Sequence, residues 1–155
     1  MSILKRILCV LFLLLGVFLL AVRWGNSRSQ PAHSPGLTDD GLADCPDTPN
    51  CVSSQRSDPE HFITPIPFTQ SAEEAQRRLE DIIGALPRNR IVTRRPGYLH
   101  AEFRSFLLGF VDDAEFVIDD SEQLILMRSA SRVGRSDLGV NRRRMEEIRT
   151  KFESR

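Results

Sequence analysis

The first pattern along the chain is an unbroken apolar run near its N-terminus. Residues Ile7 to Val22 carry no charge, Lys5 and Arg6 precede them, and Arg23 and Trp24 follow them. The run is shorter than the roughly 20 residues that a membrane-spanning helix usually has. Basic side chains that reach the lipid headgroups, and a tryptophan at the interface, can make up the difference. The pattern therefore predicts a membrane helix.

The residues that follow the apolar run bear on whether this helix is retained. A secretory signal peptide ends in small residues at its cleavage site, whereas here Ala21 is followed by Val22, Arg23 and Trp24. We predict an uncleaved signal-anchor over residues 1–24, with a cleaved signal peptide and a buried helix as the alternatives. Because basic residues on the two sides of the run nearly balance, orientation follows from the short N-terminal tail and from the cysteines described below. We expect a single pass through the inner (cytoplasmic) membrane, with the C-terminal domain in the periplasm.

Two polar segments separate the anchor from the next periodic pattern. Residues 25–44 are rich in Gly, Ser, Pro and Asp, lack apolar periodicity and predict a flexible tether. The exported domain then covers residues 45–155. Within it, Pro65 and Pro67 exclude an ordinary central strand, so residues 63–68 are predicted to form an edge strand or a strap over the core.

A helix is predicted to begin at Ser71. Ser71 and Glu74 have the spacing of a capping box, in which each side chain binds the backbone amide of the other residue. Pro87 ends the helix. Apolar residues recur on one helical face: Ala75, Leu79, Ile82, Ile83 and Leu86.

Strands are predicted from four short runs in the second half of the chain, over residues 90–95, 98–106, 110–119 and 123–130. A second helix follows, with Ser136 or Asp137 as its cap. The order helix, four strands, helix predicts an α+β fold, in which a four-stranded antiparallel sheet is covered on one face by two helices and is preceded by the N-terminal membrane helix. The apolar stripe of the second helix is expected to comprise Leu138, Met145, Ile148 and Phe152.

Charge and cysteine usage narrow the class of protein. Four of the 21 basic residues lie before position 29, which leaves 17 against 21 acidic residues in the rest of the chain. This mildly acidic balance argues against a nucleic-acid partner.

Cys45 and Cys51 are separated by five residues, two of them proline, and predict a structural disulfide in an oxidising compartment. Free thiols and a metal or redox site are the alternatives, although only His61 is near enough to serve as a further metal ligand, and we expect no metal or cofactor.

One strand face is unusually rich in polar residues. Tyr98, His100, Glu102 and Arg104 alternate along the strand predicted over residues 98–106 and therefore share a face. Acidic residues of the next strand, Asp113, Glu115 and Asp119, are expected opposite or diagonal to them. The favoured interpretation is a solvated face with weak ion pairs. The alternative is acid–base chemistry by His100 and Glu102 as catalytic candidates.

The junction after the last strand is a candidate anion site. A Gly-containing loop leads there into a helix, whose N-terminal amides and dipole favour a negative charge. The alternative is that Asp137 already occupies this helix end. The candidate ligand-binding residues are Arg132, Ser136, Asn141 and Arg142, with Arg104 and His100 nearby if the sheet forms as predicted.

Three stretches of the sequence resemble one known family. They are Cys45-Pro-Asp-Thr-Pro-Asn-Cys51-Val-Ser-Ser, residues 110–116 (FVDDAEF) and residues 128–142 (RSASRVGRSDLGVNR). Together they are similar to motifs of the bacterial and plastid family filed as domain of unknown function 1499, over about residues 42–153. The resemblance implies a small domain, often behind a membrane or export segment. It carries over no catalytic residue.

These patterns lead to two expected functions. The first is a membrane-anchored periplasmic module that binds an anionic small molecule or a membrane-protein partner. The second is an extracytoplasmic hydrolase that uses His100 and Glu102 for proton transfer. A structural subunit of a membrane complex, contacted through residues 63–68, is a third possibility.

Overall fold

A six-stranded antiparallel sheet organises the domain in the computed structural model, which describes residues 2–31, 35–38 and 41–154. The strands follow the order β3-β8-β7-β6-β5, and β4 also pairs with β8. A separate two-stranded ladder, β1-β2, precedes the sheet. The elements are α1 (Ile3–Ser27), β1 (Leu37–Thr38), β2 (Gly41–Leu42), β3 (Cys51–Ser53), β4 (Ile66–Pro67), α2 (Ala72–Ala85), β5 (Asn89–Arg95), β6 (Tyr98–Arg104), β7 (Val111–Asp119), β8 (Leu124–Ser131) and α3 (Val140–Glu153).

The prediction of a four-stranded sheet is wrong in the number of strands. The four predicted runs are confirmed as β5 to β8, with ends that differ by one or two residues. Strand β3, which pairs with β8, was not predicted from the sequence. Strand β4 lies in the predicted edge segment and also pairs with β8. At three and two residues these strands are too short to show an alternating pattern.

The two helices of the domain cover one face of the sheet, as the sequence predicts. The capping box at the start of α2 is present, with the Glu74 amide donating to the Ser71 hydroxyl and the Ser71 amide donating to the Glu74 carboxylate. Leu138 does not belong to the helical stripe, because it precedes α3 and its side chain is 84% exposed. The core between helices and sheet contains Ala75, Leu79, Ile83, Leu99, Ala101, Phe103, Ala114, Phe116, Ile125, Met127, Met145, Ile148 and Phe152.

Helix α1 differs from the other helices because none of its residues is buried. It is the one helix among the described residues that is long and apolar enough to cross a membrane. Its 25 residues span about 37 Å, which exceeds the hydrocarbon thickness of about 30 Å. The last turns of α1 contact the loop between β6 and β7, so the apolar helix ends against the domain.

Candidate functional site

The second face of the sheet carries a buried network of charged residues, here called the polar face. It comprises Tyr98, His100 and Glu102 of β6, Asp113 and Glu115 of β7, Arg128 of β8 and Arg132 just beyond it. Strand register brings them together, since His100 pairs with Glu115 and Glu102 pairs with Asp113 across β6 and β7.

Arg132 lies at the centre of this network. Its Nε and Nη2 donate to the two carboxylate oxygens of Asp113 at 2.8 and 2.7 Å. Nη2 also donates to Oε1 of Glu102 at 2.6 Å, and Nη1 donates to the carbonyl oxygen of Ser29 at 2.9 Å. The side chain of Arg132 is 9% exposed. One guanidinium therefore bridges two buried carboxylates.

The electrostatic balance keeps both of these carboxylates ionised. Burial alone would raise the pKa of Asp113, but hydrogen bonds from Arg132 and His100 lower it overall. Burial likewise opposes ionisation of Glu102, and hydrogen bonds from Arg132 and Arg104 lower its pKa nonetheless. The same pairing, led by the hydrogen bond to Asp113, raises the pKa of Arg132 further above its usual range.

His100 is held by this network. Its Nε2 lies 2.8 Å from Oδ1 of Asp113, and because that carboxylate is ionised the ring nitrogen donates. Only 4% of His100 and 5% of Glu102 are exposed. The two catalytic candidates thus share a buried face, and each is bound to a charged neighbour.

A second pair of charges lies beside the first on the same face. Arg128 donates from Nη1 to Oε2 of Glu115 at 3.0 Å, and the Tyr98 hydroxyl donates to Oε1 at 2.7 Å. Burial raises the pKa of Tyr98, and the hydrogen bond to Glu115 raises it further. Tyr98 is therefore a fixed hydrogen-bond donor at physiological pH.

The polar face is not the solvated surface that the strand pattern favours. The end of α1 and the segment after it contact the polar face: the carbonyl oxygen of Ser27 accepts from Arg104, that of Asp44 accepts from Arg128, and the Gly36 amide donates to Glu115 at 2.8 Å. That residues 25–44 act as a flexible tether stays a prediction. Residues 32–34 and 39–40 of this segment lie outside the described residues.

The residues predicted to bind an anion do not converge on one point. Arg132 and Arg104 belong to the polar face and its edge, where both bind Glu102. Arg142 donates to the carbonyl oxygens of Glu60 and Phe62. The Ser136 hydroxyl accepts from the amide of Leu138. Anion binding by these residues stays a prediction.

Asp137 already occupies the start of α3. Its carboxylate accepts from the amides of Gly139 and Asn141, at 2.9 and 2.7 Å. The side chain of Asn141 is buried, and it bonds Ser129, Ser131 and the carbonyl oxygen of Asn50. The helix end is therefore satisfied by the chain itself, which is the alternative that the sequence left open.

Two residues bonded to the Asn141 side chain, Asn50 and Arg144, were not predicted from the sequence. Asn50 donates to the carbonyl oxygen of Gly134 at 2.6 Å and accepts from the amide of Ser131 at 3.0 Å. Arg144 donates to Asp112 at 2.7 Å and lies over the ring of Phe103. The signal for Asn50 is its place within the cysteine motif, next to Cys51.

The predicted disulfide is confirmed. Cys45 and Cys51 are bonded, with Cα atoms 5.6 Å apart, and both are buried. Cys51 pairs with Ala130 of β8, so the bridge fixes the loop that carries Asn50 against the end of that strand. Cys9 in α1 is a free, exposed cysteine.

The loop between β6 and β7, residues Ser105–Phe110, is called the contact loop. Nη1 of Arg23 donates to the carbonyl oxygen of Phe106 at 2.6 Å, and Nδ2 of Asn26 donates to that of Leu108 at 2.8 Å. Gly109 has a φ of +67°, and a Cβ there would lie 2.9 Å from Cγ of Arg23. Phe106 is nevertheless 77% exposed and Leu107 is 61% exposed. The strand pattern predicts Phe106 as the end of the strand over residues 98–106 and leaves Leu107 outside the predicted strands.

A cleft of about 480 Å³ opens beside the contact loop, between the end of β6 and the first turns of α3. Its lining combines apolar side chains with arginines. The residues are Leu86, Pro87, Arg88, Phe103, Arg104, Ser105, Phe106, Asp112, Val140, Arg143, Arg144 and Glu147.

The comparisons with known proteins agree with the motif resemblance. A family model described as "Protein of unknown function (DUF1499)" matches residues 41–152. No curated protein and no solved structure matches the chain. Within the described residues, no group of three or more His, Cys, Asp or Glu side chains is arranged to hold a metal ion.

Proposed function

Because the chain belongs to the DUF1499 family, whose function is unknown, we propose a function from its own geometry. The protein is a single-pass membrane protein whose domain lies on the periplasmic surface of the cytoplasmic membrane. There it serves as a binding or accessory module that acts at the bilayer surface.

The observation that carries this proposal is the contact between α1 and the contact loop. Arg23 directly follows the apolar run, so it lies where a membrane helix leaves the hydrocarbon region. Its hydrogen bond to Phe106 supports the same level for the contact loop. Two exposed apolar side chains, Phe106 and Leu107, then face the region that lipids would fill.

The disulfide supports the placement of the domain outside the cytoplasm. Bridges persist in oxidising compartments and are rare where thiols are kept reduced. The Cys45–Cys51 bridge lies in the domain, whereas the free Cys9 lies within the apolar helix. With the N-terminus inside, a single pass puts the bridge in the periplasm.

The geometry favours a binding role over the hydrolase alternative. A proton-transfer pair must reach its substrate within hydrogen-bond distance or through one water. His100 and Glu102 are buried and already bound to Asp113 and Arg132. Their arrangement resembles a structural ion-pair network more than an open catalytic pair.

The experiment that tests this proposal measures anchoring and oxidation together. The full chain carrying Cys9→Ser, which removes the free thiol, is expressed in a bacterial host, and its membranes are washed with alkaline carbonate. The cysteines are then modified with a maleimide polymer under denaturing conditions, before and after reduction. We expect full-length protein in the washed membranes, with two cysteines modified only after reduction. A chain released by carbonate, shortened at its N-terminus, or modified without reductant would refute the proposal.

A further inference from the structure

We propose that the cleft beside the contact loop binds one anionic phospholipid taken from the surrounding bilayer. Arg88 and Arg143 bind the phosphate of the headgroup, and the apolar wall formed by Pro87, Phe106 and Val140 holds the first part of an acyl chain. This inference rests on the proposed function, since it requires the domain to lie on the membrane.

The chemistry of the lining fits an amphiphile. Five apolar residues line the cleft together with four arginines, and only two carboxylates oppose those cations. The volume of about 480 Å³ lies within the range of about 300–1,000 Å³ that is typical of small-molecule sites. A site that joins an apolar wall to a net positive charge complements a molecule with an apolar end and an anionic end.

Two of the four arginines belong to the scaffold of the cleft. Arg144 is bound to Asp112 and stacks on Phe103, with its guanidinium 4.5 Å from the ring centroid. Arg104 is bound to Glu102 at 3.0 Å. These two arginines are therefore already ion-paired, and they fix the wall of the cleft.

The other two arginines have charge to offer to a ligand. Arg88 donates from Nε to the carbonyl oxygen of Arg104, and Arg143 donates from Nη1 to that of Leu138. Neither forms an ion pair with a residue that the structure describes. Both retain Nη groups for a phosphate, which guanidinium binds through charge-assisted and often bidentate hydrogen bonds.

The position of the cleft determines where its ligand comes from. Phe106 belongs both to the wall of the cleft and to the contact loop that is bonded to Arg23. The mouth of the cleft therefore lies at the level where α1 leaves the hydrocarbon region, which is the level of the lipid headgroups. A soluble anion would use the arginines but would gain nothing from Pro87, Phe106 and Val140.

A second cavity extends the apolar surface on the same side. It has a volume of about 140 Å³ and shares Ser105, Asp112 and Val140 with the cleft. Its wall includes Phe110 and Val133, which are 38% and 40% exposed. Exposed apolar residues grouped in this way mark an interaction surface. Because α1 anchors the domain to the bilayer in the proposed function, the bilayer is the surface next to these residues.

The test compares lipid retained by the full chain and by two charge variants. Each protein is placed in nanodiscs of phosphatidylcholine mixed equally with phosphatidylglycerol, extracted in mild detergent, and examined by native mass spectrometry. The site variant is Arg88→Gln/Arg143→Gln. The control, Arg77→Gln/Arg94→Gln, removes the same charge from α2 and β5, where both arginines form exposed ion pairs.

We expect one phosphatidylglycerol to be retained by the wild type and the control. The site variant should lose at least about tenfold in retention, because each charge-assisted hydrogen bond contributes that much to an equilibrium. A short-chain phosphatidylglycerol should displace the bound lipid, whereas inorganic phosphate at the same concentration should not. Phe106→Ser, which leaves every charge in place, should also reduce retention.

Equal retention by the wild type and the site variant would overturn the proposal. Displacement by inorganic phosphate as effectively as by the short-chain lipid would overturn it too, because the site would then be one for a soluble anion. Membrane anchoring and disulfide oxidation are measured on the same samples. If both persist while lipid is not retained, the lipid site alone fails. If anchoring fails, the proposed function fails and the lipid site with it.

Discussion

Arg132 and Asp113 form a two-point ion pair on the buried face of the sheet, with donor–acceptor distances of 2.8 and 2.7 Å. Asp113 is 2% exposed, and the same guanidinium also reaches Glu102, which is 5% exposed. Buried charges are tolerated when they are paired and hydrogen-bonded. The ion pairs with Arg132 are therefore what allows Asp113 and Glu102 to be buried on the polar face.

Removal of this guanidinium should be costly. Arg132→Met keeps much of the side-chain volume but leaves two buried carboxylates with too few cations. We expect the free energy of unfolding, measured by urea titration of the full chain in mild detergent, to fall by about 3–5 kcal/mol. Arg77→Met, which breaks an exposed pair with Glu73, should cost about 0–1 kcal/mol. Equal losses in the two variants would contradict the central role of Arg132.

The polar face should also make the domain sensitive to acid. The pKa values of Asp113 and Glu102 are lowered in the folded protein from their ordinary values of 3.8 and 4.5. The unfolded chain therefore binds protons at higher pH than the folded chain does. The stabilisation is fully present above about pH 5 and is lost as the pH falls through the lowered folded-state values.

The free energy of unfolding should accordingly change little between pH 7 and pH 5 and fall steeply below about pH 4. Glu102→Gln should make that fall shallower, because it removes one of the titrating groups. Urea titrations across this pH range measure both effects. A steep loss of stability between pH 7 and pH 5 would show that a group other than these carboxylates controls the acid response.

The disulfide should stabilise the domain by limiting the freedom of the unfolded chain. For so short a loop the expected contribution is about 2 kcal/mol, so Cys45→Ser/Cys51→Ser should lower the free energy of unfolding by about that amount. Asn50→Ala should cost about 1 kcal/mol with the bridge intact, because the buried Asn50 side chain loses the hydrogen bond that it donates to the carbonyl oxygen of Gly134. A reduced chain as stable as the oxidised one would contradict this account of the bridge.

Gly109 should be necessary for the contact between α1 and the domain. Gly109 and Gly97 both have positive φ, +67° and +76°, so alanine at either costs about 1 kcal/mol of backbone strain. They differ in their surroundings, since a Cβ at Gly109 would lie 2.9 Å from Arg23, whereas at Gly97 its nearest atom is 3.7 Å away.

Proteolysis in nanodiscs separates the two effects. Gly109→Ala should speed cleavage within residues 105–110 several-fold, because the contact loop can no longer close on Arg23. Gly97→Ala, with similar strain, should leave cleavage of this loop unchanged. Similar rates for both variants would mean that the glycine serves only the turn and not the approach of α1.

The helices and strands of the domain could be predicted because capping and alternation depend only on residues that are close together in the sequence. The capping box at Ser71 and the alternation along Tyr98–Arg104 are confirmed, and the alternation correctly identified which residues share the polar face. It did not predict that this face is buried. Alternation reports a contrast between two faces, and the contacts from Ser29, Gly36 and Asp44 come from a segment without periodicity, far away in the sequence.

The contact loop was missed for a related reason. Its apolar residues lie between two strands, and a pattern of period two extends naturally into them. Their role depends on the end of α1, about 80 residues earlier in the chain. Leu138 misled the helix prediction similarly, because it has helical spacing from Met145 but lies in the left-handed turn that precedes α3.

The most direct test of this account measures how deep the contact loop lies. A nitroxide label is attached to Leu107→Cys in the Cys9→Ser background, with the disulfide intact, and the full chain is placed in nanodiscs. Collisions of the label with oxygen and with a water-soluble nickel chelate are then compared by electron paramagnetic resonance, with Leu20→Cys and Arg77→Cys as references for lipid and for water. We predict that the label at position 107 lies near the lipid headgroups, so that oxygen is favoured over the chelate more than at position 77 and less than at position 20. A label at position 107 that is as open to the chelate as the one at position 77 would contradict the account.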